Sequence, residues 1–192
     1  MIKKKSTSAG LTLIELVVAV GIFALITGII LANNTRFGGI FSLQNLAYSI
    51  ALSIREAQAH GISVSRYSSG YETAFGMHFD VSSPASRLHY ELFADSIDDG
   101  YFETSENVPP SPYTIGRGYT ISKLCAPAGN TIETCTSVER LDIIFRRPEP
   151  DASIRANSLA QKYESGRIVV QSPRGDQLSI LVLATGGISV QR

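Results

Sequence analysis

One carboxylate, Glu15, lies inside an otherwise apolar run that extends from Leu11 to Ala32. A carboxylate that enters hydrocarbon costs several kcal/mol of free energy unless a cation or hydrogen-bond donors pair with it. Three basic residues, Lys3 to Lys5, precede the run, and Gly10 stands directly before it. The position of Glu15 therefore indicates a functional carboxylate that requires a partner.

A second group of carboxylates follows the spacing of a calcium-binding loop in the segment DSIDDGYFETSE. Counting from its first Asp places carboxylates at positions one, five, nine and twelve, with a glycine at six and a backbone carbonyl at seven. The carboxylate residues in this count are Asp95, Asp99, Glu103 and Glu106. Position three is Ile97, which offers no side-chain oxygen, and the adjacent Asp98 is the substitute ligand in the calcium interpretation. Calcium binding is one interpretation, and an acidic solvated turn between strands is the other.

The chain has two cysteines, Cys125 and Cys135, with the loop-like sequence APAGNTIET between them. On the extracytoplasmic side of a membrane such a pair can oxidise, and closing a short loop contributes about 2 to 3 kcal/mol to stability. We expect a disulfide, with two free thiols as the alternative. Neither further cysteines nor suitably spaced histidines support a zinc site.

Residues with the spacing of an enzyme active site do not stand out in the sequence. His60, His78 and His89 are isolated, no serine has a nucleophile-elbow context, and no glycine-rich phosphate loop follows a predicted strand. The chain has 17 basic and 17 acidic residues, and the part beyond position 10 carries a formal charge of −3. This composition gives no electrostatic indication of nucleic-acid binding. We expect a protein that is not an enzyme and requires no cofactor; a surface hydrolase is an alternative for which the sequence displays no acid–base residues.

The elements that position these residues begin with an apolar helix. The 22 residues of Leu11–Ala32 make a helix of roughly 33 Å, against about 30 Å for the hydrocarbon core of a bilayer. The lysines lie on its N-terminal side, so the positive-inside rule places the N-terminus in the cytoplasm and the rest outside. A plain signal anchor or a cleaved signal peptide is the alternative, but LANNTRF lacks the small-residue pattern of a signal-peptidase site.

An amphipathic helix is predicted to continue to about His60, where Gly61 stops it. Apolar residues recur there at three- and four-residue steps, which is typical of one buried helix face. These residues are Leu43, Leu46, Ala47, Ile50, Ala51, Ile54 and Ala57. Between the two halves, NNTRFGG contains poor helix formers, which indicate either a kink or residues that the helix tolerates.

The remainder is predicted as an antiparallel β head of roughly eight strands, because β-rich or alternating runs are separated by Pro, Gly, Ser and Asp. The predicted strands are ISVSR, ETAFGMHFD, RLHYELF, GYTISKL, RLDIIFRR, GRIVVQS, QLSILVLA and GISVQR. In QLSILVLA, one face is expected to carry Leu178, Ile180 and Val182, and the other Ser179, Leu181 and Leu183. The segment RRPEPDASIRANSLAQ, residues 146–161, is predicted as an exposed loop or short helix. The predicted fold class is α+β, with a long N-terminal helix packed on an antiparallel sheet.

The N-terminus resembles that of type IV prepilins and type II secretion pseudopilins. That family has a short basic leader ending in glycine, an apolar residue, Thr-Leu-Ile-Glu and a hydrophobic helix. The matching residues here are Gly10, Leu11, Thr12, Leu13, Ile14 and Glu15. The resemblance implies cleavage between Gly10 and Leu11 by a prepilin peptidase and N-methylation of the new amine. The family more often has Phe or Met at the position of Leu11, which is a mild departure.

The resemblance also implies a partner for Glu15, which would be the fifth residue of the processed chain. In the family this carboxylate pairs with the N-terminal amine of a neighbouring subunit, an ion pair that is favoured in low dielectric. Two further segments are similar to the pseudopilin H group of minor subunits, namely NLAYSIALSIREAQAHGISVSR and the closing LSILVLATGGISV. Some members of the wider family bind Ca²⁺ in loops of the head, so the resemblance is compatible with calcium binding by the acidic loop.

We therefore expect three parts: a cleaved leader over 1–10, a transmembrane and amphipathic helix over 11–60, and an extracytoplasmic, pilin-like β head over 61–192. The resemblance implies a minor or initiating subunit of a type IV pilus or a type II secretion pseudopilus. Its expected partners are other pilin or pseudopilin subunits, the prepilin peptidase, the inner-membrane assembly platform and membrane lipid. Its expected location is the inner membrane, as a single-pass protein, and the filament after assembly. The alternative is a membrane-anchored adhesin or DNA-uptake protein that does not polymerise.

Overall fold

The computed structural model describes residues 12–63 and 73–192, and for residues 32–38 the backbone alone. The chain divides into two compact units, Met1–Gly39 and Ile40–Arg192. One α-helix, α1 (Leu13–Ile62), and eleven β-strands lie within the described residues. The predicted α+β class is therefore confirmed.

The strands form two sheets in which neighbouring strands are antiparallel. In chain order the strands are β1 Ala74–Asp80, β2 His89–Asp95, β3 Tyr113–Thr114, β4 Thr120–Cys125, β5 Ser137–Val138, β6 Arg140–Phe145, β7 Ala152–Ala156, β8 Lys162–Tyr163, β9 Ser165–Gln171, β10 Gln177–Leu183 and β11 Ile188–Gln191. The six-stranded sheet has the order β3-β2-β1-β6-β7-β8, and the five-stranded sheet has the order β11-β10-β9-β4-β5. Both sheets thus combine hairpins with pairings between strands distant in the chain.

Seven of the eight predicted strands are present among the described residues, as β1, β2, β4, β6, β9, β10 and β11. The prediction of an exposed loop or short helix over residues 146–161 is wrong, because β7 lies inside this segment. β7 alternates between buried and half-buried residues and pairs with β6, with Ile154 opposite Ile143. Its inward residues include two alanines, whose apolar character is too weak to reveal a period of two in the sequence.

Helix α1 has 50 residues and ends at Ile62, two residues beyond the predicted end. Its backbone is helical through NNTRFGG. Gly61 does not stop the helix; a Cβ on this residue would approach the backbone oxygen of Phe145 to 2.5 Å, so the glycine is required by close packing on β6. Because Ile62 is helical, the strand predicted over 62–66 does not begin there, and residues 64–66 lie outside the described residues.

The unit Ile40–Arg192 has a main hydrophobic core to which α1 contributes one face. The predicted amphipathic face is confirmed, since it is buried apart from Leu46, which is partly buried. The core cluster includes Ile50 and Ile54 from α1, Met77, Phe79, Leu141, Ile143 and Phe145 from the six-stranded sheet, and Ile121, Ile168, Val170 and Ile180 from the five-stranded sheet. This part of α1 therefore packs against both sheets.

The other face of the six-stranded sheet carries a smaller apolar cluster and several polar side chains. Ala74, Phe93 and Ile144 are buried there, and Phe102 packs against them from the loop that follows β2. His78 stacks on the same Phe102, with 4.4 Å between ring centroids. The loop after β2 therefore covers part of this face, and it contains the acidic residues singled out from the sequence.

Candidate functional site

The first unit contains an apolar span, Leu13–Leu31, of 19 residues that is long and apolar enough to cross a membrane. None of this span is buried inside the protein. Its large side chains are highly exposed, among them Leu13 at 81%, Phe23 at 72% and Leu25 at 70%. Apolar surface of this extent is stable next to lipid or next to other apolar helices rather than in water.

The start of α1 is built by Thr12, which precedes the first helical residue. Its carbonyl accepts the N–H of Leu16 at 3.1 Å, and its Oγ1 accepts the N–H of Glu15 at 3.4 Å. Thr12 is therefore the N-cap, and Glu15 is the third helical residue, in the Thr-x-x-Glu spacing of a capping box. A carboxylate in the first turn is also favoured by the helix dipole.

This local role of Glu15 was not predicted from the sequence, although the Thr-x-x-Glu spacing that signals it is visible in TLIE. The Glu15 residue is exposed, as are its neighbours in the apolar span. Gly10 and Leu11, the predicted cleavage and methylation positions, lie outside the described residues, as do Lys3 to Lys5. Processing at these positions stays a prediction.

The predicted disulfide is confirmed. Cys125, at the end of β4, is bonded to Cys135, which lies two residues before β5, and their Cα atoms are 5.6 Å apart. Both cysteines are buried. The bridge closes the connection between two neighbouring strands of the five-stranded sheet.

A buried arginine that was not predicted from the sequence holds the loop between Cys125 and Cys135. Arg167, on β9, is 2% exposed. Its Nε donates to the carbonyl of Ala128 at 3.0 Å and its Nη2 to the carbonyl of Gly129 at 3.2 Å. Its Nη1 donates to Ser179 Oγ at 2.8 Å and to Gln191 Oε1 at 3.1 Å. Burial lowers the pKa of the guanidinium, and these acceptors are what make a buried cation tolerable.

The first residue of the predicted calcium loop, Asp95, is buried at the end of β2. Its two carboxylate oxygens accept the N–H groups of Asp99 at 3.2 Å and Gly100 at 3.1 Å. Gly100 has a φ of +78°, and a Cβ there would approach Arg155 Cζ to 2.6 Å, so glycine is required at this turn. Burial raises the pKa of Asp95, and the nearby carboxylates of Glu106 and Asp99 raise it further.

The last residue of the predicted loop, Glu106, is buried in a 3₁₀ turn, Thr104–Glu106. Its Oε1 accepts the N–H groups of Ser96 at 2.7 Å and Ile97 at 3.2 Å, whereas its buried Oε2 has no partner among the described residues. Glu103 is exposed. Within residues 12–63 and 73–192, no group of three or more His, Cys, Asp or Glu is placed to hold a metal ion.

An arginine, rather than a further carboxylate, lies beside the first part of this loop. Arg146 Nη2 contacts the carboxylate of Asp98, the residue considered as a substitute ligand, and lies 3.8 Å from Asp95 Oδ2. The two buried carboxylates, Asp95 and Glu106, therefore accept hydrogen bonds from N–H groups of the loop, and Asp95 also lies near Arg146. Calcium binding by Asp95, Asp99, Glu103 and Glu106 stays a prediction.

Two strand histidines that are isolated in the sequence have carboxylate partners in the fold. His78 Nδ1 lies 2.6 Å from Asp142 Oδ1, and both residues are buried. His89 Nε2 lies 3.2 Å from Glu91 Oε1. Burial raises the pKa of Glu91, while the charges of His78 and His89 oppose that rise. The partner of His78 lies 64 residues away in the chain, so this pair is not visible in the local sequence.

No protein-family model, no curated protein and no solved structure matches the chain. The fold defines an α+β protein with two antiparallel sheets. Its N-terminal helix contains a candidate membrane span.

Proposed function

We propose that the chain is a prepilin-type subunit that is cut between Gly10 and Leu11 by a prepilin peptidase, N-methylated, and assembled into a type IV pilus or a type II secretion pseudopilus. The observation that carries this proposal is Glu15, a lone carboxylate in the first turn of a helix whose following residues are exposed and apolar. In a plain membrane anchor this carboxylate would have only the local role of favouring the helix start. An assembling helix can use it to select a neighbour.

The assembly step follows from the cost of isolated charges in hydrocarbon. Cleavage creates an amine at Leu11, and the amine of one chain can pair with Glu15 of the next when their helices lie side by side. Each charge alone costs several kcal/mol in that environment, so pairing favours one axial offset between neighbours. The donor and acceptor surfaces differ, so the contact is heterologous and propagates into a filament instead of closing into a dimer.

The remaining features support the same proposal. The apolar span Leu13–Leu31 is suited to lipid before assembly and to neighbouring helices afterwards. The basic residues Lys3 to Lys5 favour a cytoplasmic N-terminus, and the Cys125–Cys135 disulfide favours an extracytoplasmic head. The proposed partners are other pilin or pseudopilin subunits, the inner-membrane assembly platform and lipid. The similarity to pseudopilin H favours a minor or initiating subunit with a pilin-like fold.

The experiment is intact-mass and N-terminal analysis of the full chain extracted from membranes, expressed with and without a prepilin peptidase. We expect loss of residues 1–10 and gain of one methyl group only when the peptidase is present. A Gly10→Val variant is the matched control, since a branched side chain at the cleavage position should block processing while leaving the helix unchanged. An intact leader in the presence of an active peptidase, or cleavage beyond Ala32, would contradict the proposal and favour a membrane-anchored binding protein that does not polymerise.

A further inference from the structure

Two adjoining cavities of about 410 and 630 Å³ lie on the head beside the six-stranded sheet. They share Arg146 and Arg147 at the turn between β6 and β7, and the loop after β2 lines both. The smaller cavity is also lined by Arg155 of β7 and Lys162 of β8. We call this combined cavity the β6–β7 groove.

Two guanidinium nitrogens of this groove are buried without an acceptor. They are Nη2 of Arg147 and Nε of Arg155, neither of which has a hydrogen-bond partner among the described residues. A buried donor without an acceptor costs about 1 to 3 kcal/mol, and more when it belongs to a charged group. An acceptor bound in the groove would recover that cost.

One of these arginines is held in position by other contacts. Arg155 Nη1 donates to the carbonyl of Asp99 at 2.5 Å, and its guanidinium lies over the ring of Tyr101 at 4.8 Å from the centroid. The absence of a side chain at Gly100 makes room for this guanidinium. Its orientation is therefore set before a ligand binds, which reduces the entropy lost on binding.

The cations of the groove are unequally neutralised. Arg146 is paired with Asp98 and lies near Asp95. In the part of the chain that the structure describes, Arg147, Arg155 and Lys162 form no ion pair. Planar guanidinium groups with free N–H donors match the oxygens of a carboxylate or a phosphate.

Two carboxylates restrict the class of ligand. Glu149 and Asp151 also line the groove, are exposed, and have no ion pair within the described residues. The lining of the smaller cavity has four basic and four acidic residues, so the groove has no excess of positive charge to attract a polyanion. A peptide that has one carboxylate and a nearby basic side chain complements both kinds of group.

We infer that the β6–β7 groove binds a peptide segment of a partner protein. A carboxylate of that segment accepts hydrogen bonds from Arg147 and Arg155, and a basic side chain lies toward Glu149 and Asp151. This site is a function beyond filament assembly, and it depends neither on cleavage at Gly10 nor on polymerisation.

The test uses the full chain in detergent micelles with ¹⁵N-labelled arginine, because the side-chain Nε–H signals of Arg147 and Arg155 report directly on the site. The probes are the peptide Ac-Gly-Glu-Gly-Lys-NH₂ and its matched glutamine peptide Ac-Gly-Gln-Gly-Lys-NH₂. We expect saturable shifts of both signals with the glutamate peptide and about tenfold weaker binding of the glutamine peptide, since the charge-assisted hydrogen bonds are lost. Equal affinity of the two peptides, or no saturable shift, overturns the inference.

Variants separate this site from general electrostatics. Arg147→Gln, whose Nη2 has no partner to lose, should weaken binding of the glutamate peptide about tenfold. Arg174→Gln, at an exposed position between β9 and β10, is the matched control and should leave binding unchanged. Lys162→Gln is a second variant should Arg147→Gln fail to fold, and it should also weaken binding. Equal binding by all variants, or tighter binding of a short single-stranded oligonucleotide than of the glutamate peptide, overturns the assignment of a peptide ligand.

Discussion

At the scale of single residues, Arg167 determines whether the disulfide loop is held to the sheet. Arg167→Met keeps the length of the side chain but leaves the carbonyls of Ala128 and Gly129 without their donors. We expect the free energy of unfolding to fall by about 3 kcal/mol, measured by denaturant unfolding of the full chain in detergent. Arg174→Met is the matched control at an exposed position and should change it by less than about 0.5 kcal/mol. Similar losses in the two variants would contradict the anchoring role.

Asp95 gives a prediction of pH dependence at the same scale. Its pKa is raised above 3.8 by burial and by the carboxylates of Glu106 and Asp99, so the folded state binds the proton more tightly than the unfolded state. The stability that Asp95 contributes is therefore present below the unfolded pKa and is lost as the pH rises through the folded pKa. We expect the stability of Asp95→Asn, relative to the unmodified chain, to improve as the pH rises from about 3.8 toward neutrality.

Denaturant unfolding at closely spaced pH values measures this effect. Glu103→Gln is the control, because Glu103 is an exposed carboxylate of the same loop. The curve of Glu103→Gln should run parallel to that of the unmodified chain. A parallel curve for Asp95→Asn as well would mean that the ionisation of Asp95 is not linked to folding.

At the scale of elements, the second half of α1 is held by one buried face. Ile54 is fully buried, whereas Leu52, two residues away on the same helix, is 68% exposed. We expect Ile54→Ala to lower the free energy of unfolding by about 2 to 5 kcal/mol, because it removes apolar contact and leaves a cavity. Leu52→Ala should change it by less than about 0.5 kcal/mol. Denaturant unfolding compares the two variants, and equal effects would contradict the observed orientation of the helix.

The strength of the local apolar pattern explains which elements could be predicted from the sequence. The apolar residues of the helix face repeat at three and four residues over several turns. QLSILVLA is a nearly continuous apolar run of strand length, so both patterns are visible in the sequence alone. β7 was not predicted, because its inward residues are mostly alanines and its strand character depends on pairing with β6. Gly61 was predicted to end the helix, but its small size is required by the approach of Phe145, which only the packing of α1 on the sheet reveals.

At the scale of the whole molecule, the charge of Glu15 is predicted to control assembly. Glu15→Gln keeps the backbone N–H that Thr12 caps but removes the partner of the neighbouring amine. We expect normal processing by the peptidase and a loss of filament incorporation of about tenfold or more, measured as the fraction of chain recovered in sheared filaments. Glu103→Gln, an exposed carboxylate of the head, should incorporate normally. Normal incorporation of Glu15→Gln would favour an anchored protein that does not polymerise.

The sequence by itself determined the features that depend only on residues close together in the chain. These are the apolar span, the amphipathic face, most of the strands, and the cysteine pair in a short loop, since each depends on composition or on a period along the chain. Only the tertiary structure decided the contacts of Arg167, the pairing of His78 with Asp142, and the β6–β7 groove. These bring together residues from separate strands and loops, and their meeting depends on strand order and register, which local patterns do not specify.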